Sequence, residues 1–260
     1  MQTVILIPAR YPSRRFPGKP LALLTGATGE ARSLIHRSWD AARAVLGVDA
    51  VIVLTDDDRI ADAARDFGAD VLMTTEAPRN GTERCAEAIP NLPGAPEIIV
   101  NLQGDAPLTP PHYIEALIDA MQRDPDIQMA TPVLRTEPSH VTALQADRKA
   151  GRVGATTAVF RPNGDALYFS KEVLPFADGG ATVFHHVGCY AYRPEALAAY
   201  ASMPQGPLEQ AEGLEQLRFL ENGIPVRCVE VQARGRAFWE LNNPSDIPLI
   251  EDIMKREGIA

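Results

Sequence analysis

The sequence has little cysteine, few aromatic residues and no excess of positive charge. Its 260 residues include 3 cysteines, 6% aromatic side chains, and 25 basic against 34 acidic groups, a net charge of −9. Cys85, Cys189 and Cys228 are far apart, odd in number and without CxxC spacing. That argues against a disulfide framework or a zinc site and predicts buried free thiols. The acidity argues against nonspecific DNA binding, which needs a basic face. No apolar run approaches the roughly 18 residues of a membrane span. The N-terminus lacks a charged region followed by a long apolar one, so the expectation is a soluble, cytoplasmic chain without a signal peptide. GxSxG is missing, and so is GxxxxGK[ST], because Pro20 follows Lys19. A serine-hydrolase elbow and a P-loop NTPase are both disfavoured.

What is present is ordinary globular material, 45% hydrophobic and 23% charged, long enough to fold around a core without staples. In the first half, short apolar runs alternate with helical spacing. Strands are predicted over Thr3–Pro8, Ala50–Thr55, Asp70–Thr74, Glu97–Leu102 and Gln128–Leu134, with helices over Glu30–Leu46, Asp57–Phe67 and Pro111–Gln122. Apolar strands separated by helices imply a parallel sheet covered on both faces. The second half is mixed. Ala155–Arg161 and Ala166–Ser170 flank a hairpin signal at Pro162–Asp165. Further strands are predicted over His186–Tyr192, Pro225–Val231 and Ala237–Leu241, and helices over Leu208–Glu221 and Pro244–Arg256. The expected fold class is α/β: one doubly wound, mostly parallel domain over 1–260, with a smaller mixed α/β insertion near 136–206. In such sheets the ligand lies beyond the carboxyl ends of the strands.

The first strand runs into a loop carrying Arg10, Arg14, Arg15 and Lys19, kept out of helix by Pro12, Pro17, Gly18 and Pro20. Guanidinium forks and a lysine point charge are the groups that hold triphosphates. A solvated basic loop is the other reading of the same composition. The acidic excess lies elsewhere, notably along Asp56–Asp70 and the last two predicted helices.

The run IPARYPSRRFPGKPL (Ile7–Leu21) resembles the signature of the 3-deoxy-manno-octulosonate cytidylyltransferases, or CMP-Kdo synthetases. Four further segments follow in that family's order: NGTER (Asn80–Arg84), NLQGD (Asn101–Asp105), HVGCYAYR (His186–Arg193) and LEQLR (Leu214–Arg218). The resemblance implies a Rossmann-like fold of the nucleotide-diphospho-sugar transferase kind. It implies transfer of CMP from CTP to the hydroxyl of a sugar acid, with Mg²⁺ as cofactor, and a homodimer formed through the inserted region. Ala9, Arg10, Lys19, Asn80, Gly81, Thr82 and Gln103 would then touch the nucleotide, with Arg10, Lys19 and Asp105 as the catalytic set. Arg15, His186, Tyr190, Glu215 and Gln216 would touch the acceptor.

Asp105 closes the apolar run EIIVNL, a placement that suits Mg²⁺ shared with phosphates; a turn or cap aspartate is the alternative. By resemblance it is the metal aspartate. The family's late segment reads roughly Val-Asp-Thr-Pro-Glu-Asp, but here it is Leu241-Asn242-Asn243-Pro244-Ser245-Asp246. Asn242 offers a carbonyl oxygen to the metal without a charge. Glu240, two residues back, would share its face on a strand and compensate in part; ordinary solvent-facing residues are the alternative. Ala106 stands where the family usually has glutamate, and Lys171 replaces an arginine in its YFSR segment. The stretch from Pro175 to Phe184 is also shorter than the family's. These departures leave open another anionic acceptor (8-amino-Kdo, another ulosonic acid or a phosphonate) or a catalytically weakened nucleotide binder. Glu215 and Arg218, at i and i+3, predict a surface ion pair.

Overall fold

All six residues of Thr3–Pro8 are buried, the pattern of a central strand covered on both faces. The computed structural model describes residues 2–13, 15–152, 155–176 and 181–260. Arg14 of the basic loop and part of the Pro175–Phe184 stretch therefore lie outside the described residues. The chain divides into two compact units, one from residues 1–115 and 234–260, the other from 116–233.

The first unit contains β1 (Thr3–Pro8), β2 (Leu23–Thr25), β3 (Ala31–Ser33), β4 (Ala50–Thr55), β5 (Asp70–Met73) and β6 (Ile98–Leu102). Four of them form a parallel sheet in the order β5-β4-β1-β6. The expected parallel α/β architecture is present. The predicted helix over Glu30–Leu46 begins later, at Leu34, and runs to Arg43. Ser33 caps it, its hydroxyl accepting from His36 N, and Ala31–Ser33 pairs instead with Leu23–Thr25 as a two-stranded ribbon. Asp57 caps Asp58–Asp66 and Asn80 caps Gly81–Ala88 in the same way. The predicted strand Ala237–Leu241 is not a strand. Its amides find other partners: Ala237 N donates to the Glu257 carboxylate and Leu241 N to the Asp105 carbonyl. Leu241 itself is fully buried beside Leu24, Leu34, Ile250 and Met254, the last two on the closing helix Ile247–Glu257.

The second unit contains β7 (Met129–Arg135), β8 (Thr156–Phe160), β9 (Ala166–Ser170), β10 (Phe184–His186), β11 (Cys189–Tyr192) and β12 (Val226–Val231). β7 pairs antiparallel with β10 and β11 and parallel with β12, while β8 joins β10 to β9. The single strand expected over His186–Tyr192 is interrupted. Between the registers His186↔Val133 and Ala191↔Ala130, five steps on one side face three on the other. Pro132, which has no N–H to give a ladder, sits in that gap, and its carbonyl accepts from Val187 N. The single helix expected over Leu208–Glu221 is two, Pro207–Glu212 and Leu217–Glu221. Gly213, at φ 61°, ends the first in a left-handed cap that other residues adopt at a cost. All three cysteines are free and buried, as the spacing predicts. Among the described residues no helix is long and apolar enough to cross a membrane.

Candidate active site

In the first unit the expected nucleotide residues gather at the carboxyl ends of the parallel strands. Ala9 N, just past β1, donates to Leu54 O at the end of β4. Gly104, just past β6, lies so close to this corner that a Cβ would come within 2.7 Å of the Pro8 carbonyl oxygen. Ser38 Oγ holds the Gly104 carbonyl at 3.0 Å. Gly104→Ala must therefore push one strand end away from another, a backbone shift rather than a rotamer change. It is expected to cost about 1–3 kcal/mol, seen as an earlier midpoint in urea unfolding.

Gly81 faces Gln103 across a similarly tight gap, its Cβ position being 2.9 Å from Gln103 Oε1 and 3.1 Å from Pro8 Cγ. Asn80 Oδ1 accepts from Glu83 N at 2.8 Å, and the Glu83 carboxylate holds Arg79. Thr82 is buried, its hydroxyl accepting from Asn101 Nδ2 at 3.5 Å. Arg10 donates to the Arg79 carbonyl at 3.3 Å, which ties the basic loop to the NGTER loop. The basic loop is also closed on itself. Gly18 N donates to Tyr11 O, Gly18 takes φ 70° against the Tyr11 ring, and the Arg59 guanidinium lies over that ring at 3.3 Å from its centre. Tyr11 and Arg59 were not legible as partners. Nor were Arg84 and Asp56, an almost wholly buried pair 2.9 Å apart, although Arg84 ends the NGTER run.

Lys19 Nζ meets Asp105 Oδ2 at 2.5 Å. Residues from the end of the chain join them. Arg15 donates to Asn242 Oδ1 at 3.2 Å, and the Asn242 side chain hydrogen-bonds the Glu240 carboxyl. Burial, and after it the charge of Asp105, pushes that carboxyl up to about 7, against the pull of Asn242, Lys19 and Arg15. Asn242 thus has its oxygen turned to Arg15. Among the described residues no group of three His, Cys, Asp or Glu side chains converges. The Asp105 carboxylate at the strand ends, a hard oxygen donor, fits Mg²⁺, which keeps waters and phosphate oxygens as further ligands, better than it fits a closed zinc cage.

The expected acceptor residues His186, Tyr190, Glu215 and Gln216 belong to the second unit. Buried His186 has Nε2 2.9 Å from Thr131 Oγ1, and that hydroxyl also lies 2.9 Å from Cys189 O. A hydroxyl has one hydrogen. Given to Cys189 O, it leaves His186 Nε2 as donor and Nδ1 as acceptor. The ring stands edge-on to Phe169 and beside Tyr190, whose hydroxyl donates to Gln216 Oε1 at 3.2 Å. Gln216 is buried, and its Nε2 has no hydrogen-bond partner among the described residues. Glu215 is half-buried one residue earlier. Arg218 is no surface residue: only 1% exposed, it forms two 2.7 Å bonds to Glu209, which is 3% exposed. The helix break at Gly213 turns this face inward.

Burial lowers the histidines to about 3 for His186, helped by the neighbouring His185, and about 4 for His185. Both lie below the unfolded value, so the unfolded chain binds more protons in between. Their contribution to stability is complete above about pH 6.5 and is lost as pH falls through the folded values. Urea unfolding at a series of pH values should show stability falling from pH 6.5 towards 4. His186→Gln, which keeps polarity without titrating, should flatten that slope.

A family model described as Cytidylyltransferase matches residues 4–231. The 3-deoxy-manno-octulosonate cytidylyltransferase of Maricaulis maris is 44% identical over 99% of each chain. The mitochondrial 3-deoxy-manno-octulosonate cytidylyltransferase of Arabidopsis thaliana is 35% identical over 100% of this chain and 85% of its own. A solved structure of CMP:2-keto-3-deoxy-manno-octonic acid synthetase complexed with CTP superposes with a TM-score of 0.86, at 33% identity over 99% of this chain and 100% of that one. With these full-length likenesses and the loops set as the motifs require, the chain belongs to the 3-deoxy-manno-octulosonate cytidylyltransferase family.

Proposed function

We propose that the protein transfers CMP from CTP to the hydroxyl of 3-deoxy-manno-octulosonate and releases pyrophosphate, in the cytoplasm and as a homodimer. The full-length identity to cytidylyltransferases of that name supports the reaction, as does the likeness to a synthetase structure holding CTP. The observation that carries the reading is the Lys19–Asp105 pair at the strand ends, flanked by Arg10, Gly81, Gln103 and Gly104.

The acceptor oxygen attacks the α-phosphorus, the bond from that phosphorus to the β-phosphate oxygen breaks, and the hydroxyl proton leaves to solvent. Little covalent work falls to the protein, and catalysis is positioning and charge neutralisation. Gly81 and Gly104 let backbone approach the nucleotide, and Gln103 hydrogen-bonds it. Lys19 and Arg10 neutralise charge gathering on the departing pyrophosphate. Arg15 takes the acceptor carboxylate. Asp105 is the carboxylate that would hold Mg²⁺, and the ion would supply Lewis acidity to the transfer.

Pyrophosphate release with CTP, Mg²⁺ and a panel of acceptors tests the reading. The panel holds 3-deoxy-manno-octulosonate, its 8-amino analogue, other ulosonic acids and a phosphonate. Turnover with 3-deoxy-manno-octulosonate and CTP is expected. Turnover only with another member reassigns the acceptor, and tight CTP binding without turnover on any removes the transferase reading.

A further inference from the structure

We propose that Arg59 is a positioning residue for the phosphate-binding loop: anchored by Asp57, its guanidinium holds the Tyr11 ring and so fixes the spacing of Arg10 and Lys19. The proposal rests on the nucleotide reading above and deepens it.

The chain order makes the neck of this loop the point of control. Tyr11 directly follows Arg10, and Gly18 directly precedes Lys19. Those two cations are the ones assigned to the triphosphate. Gly18 N donates to Tyr11 O at 3.0 Å, so the six residues between them leave and return through one narrow neck, as in an Ω-loop. The neck has no room for a side chain at Gly18, whose Cβ position lies 3.1 Å from Tyr11 Cζ and Oη. One backbone hydrogen bond nets little against water, so by itself it holds such a neck weakly.

Arg59 supplies a second restraint from the first turn of the helix Asp58–Asp66. Its Nε and Nη2 donate to Asp57 Oδ1 and Oδ2 at 3.0 and 2.7 Å, a bidentate fork that fixes the orientation of the guanidinium. Asp57 is fixed in turn. It accepts from Arg59 N at 3.0 Å as the helix cap, and its own N–H donates at 3.2 Å to the hydroxyl of Thr55, the buried last residue of β4. The guanidinium carbon then lies 3.3 Å from the centre of the Tyr11 ring, where a cation is attracted by an aromatic face. The parallel sheet is thus linked to the neck of the loop through Thr55, Asp57, Arg59 and Tyr11.

The exposure of Arg59 separates this role from one in folding. Its side chain is more than half exposed, and exposed ion pairs add little to stability. What the contact changes is the loop. A neck held shut before the nucleotide arrives presents Arg10 and Lys19 already spaced, and any fraction of open loop weakens apparent affinity in proportion.

The test uses the full chain with CTP and Mg²⁺ and no acceptor, with binding measured calorimetrically. Arg59→Ala is expected to weaken CTP binding about three- to tenfold. In the CTP-free chain it should speed trypsin cleavage between Tyr11 and Gly18 by a similar factor, because cleavage follows the population of the open loop, while the urea midpoint stays near wild type. Tyr11→Leu should match it, and Tyr11→Phe, which keeps the ring face, should restore both readouts. The double variant Tyr11→Leu with Arg59→Ala should lose no more than either alone, since the two side chains act through one contact. Arg65→Ala, which breaks an exposed pair with Asp62 on the same helix, should leave CTP affinity at the wild-type value. With acceptor added, the loss in Arg59→Ala should fall on KM for CTP more than on kcat. Unchanged affinity and cleavage in Arg59→Ala, additive losses in the double variant, or faster cleavage throughout the chain overturns the proposal. Weaker CTP binding without faster loop cleavage also overturns it, by making Arg59 a direct nucleotide contact. If wild type itself fails to bind CTP while Arg59→Ala still opens the loop, the nucleotide reading fails and the Arg59 restraint stands.

Discussion

Replacing Lys19 by methionine is expected to lower kcat for CMP transfer by about 10²–10³-fold, the usual loss on removing one preorganised group that stabilises developing charge. The backbone around it is held independently of the ammonium. Lys19 begins a short 3₁₀ turn, Lys19–Leu21, behind the left-handed Gly18, and Pro20 is buried in it. Lys19 N donates to Phe16 O, and Leu21 N to Gly18 O. Methionine keeps the stem and removes the charge, so the measurement reports on the ammonium. Two consequences follow from the 2.5 Å contact with Asp105. Lys19→Arg should restore little, because a planar fork does not replace a compact point charge in so close a pair. The loss should also appear in kcat at saturating CTP, since the charge that develops on departing pyrophosphate is absent from the ground state. Steady-state pyrophosphate release with CTP varied checks both. A change confined to KM for CTP would place Lys19 in ground-state binding only.

The largest expected effect on stability lies in the other unit. Arg218→Met should cost about 3–5 kcal/mol, because it leaves the Glu209 carboxylate buried and without its cation. Two features make this pair unforgiving. Both side chains are nearly sealed from water, at 1% and 3% exposure, and the two bonds run in parallel at 2.7 Å. The Arg218 guanidinium also stacks on the Tyr200 ring, 4.1 Å from its centre. The double variant Glu209→Leu with Arg218→Met removes both charges and should recover most of the loss, since a well-packed apolar pair replaces a buried ion pair at little cost. Urea unfolding of the single and double variants measures both. Equal destabilisation in the two would mean that packing rather than charge governs the site. Gln216 lies two residues before Arg218, and its amide meets Tyr190.

How much was legible depended on the range of the interaction. The parallel sheet was readable because β1, β4 and β6 are short apolar runs whose burial is a property of their own residues. The predicted helix Asp57–Phe67 appears as Asp58–Asp66, with its cap on Asp57. Errors came where a tertiary partner decided. Ala237–Leu241 has a strand's composition, but its amides go to a glutamate and to the Asp105 carbonyl. The helix over Leu208–Glu221 was read through Gly213, which caps it. Arg218 looked like half of a surface pair until the turn after that glycine buried it.

The site divides in the same manner. The ordered motifs' resemblance to a known family named Arg10, Lys19, Gly81, Gln103 and Asp105, and the basic loop and Asp105 also stood out by following predicted strands. Sequence alone also fixed the family, the α/β class and the concentration of cations in one loop of an acidic chain. Only the tertiary structure decided that Asn242 faces Arg15 and that the segment before it is tied to Asp105. Those contacts join residues more than a hundred positions apart, and they exist because Leu241 is buried in the core and its amide is bound to the carbonyl of Asp105. No local pattern encodes such a contact; packing and backbone hydrogen bonding set it once the chain has folded.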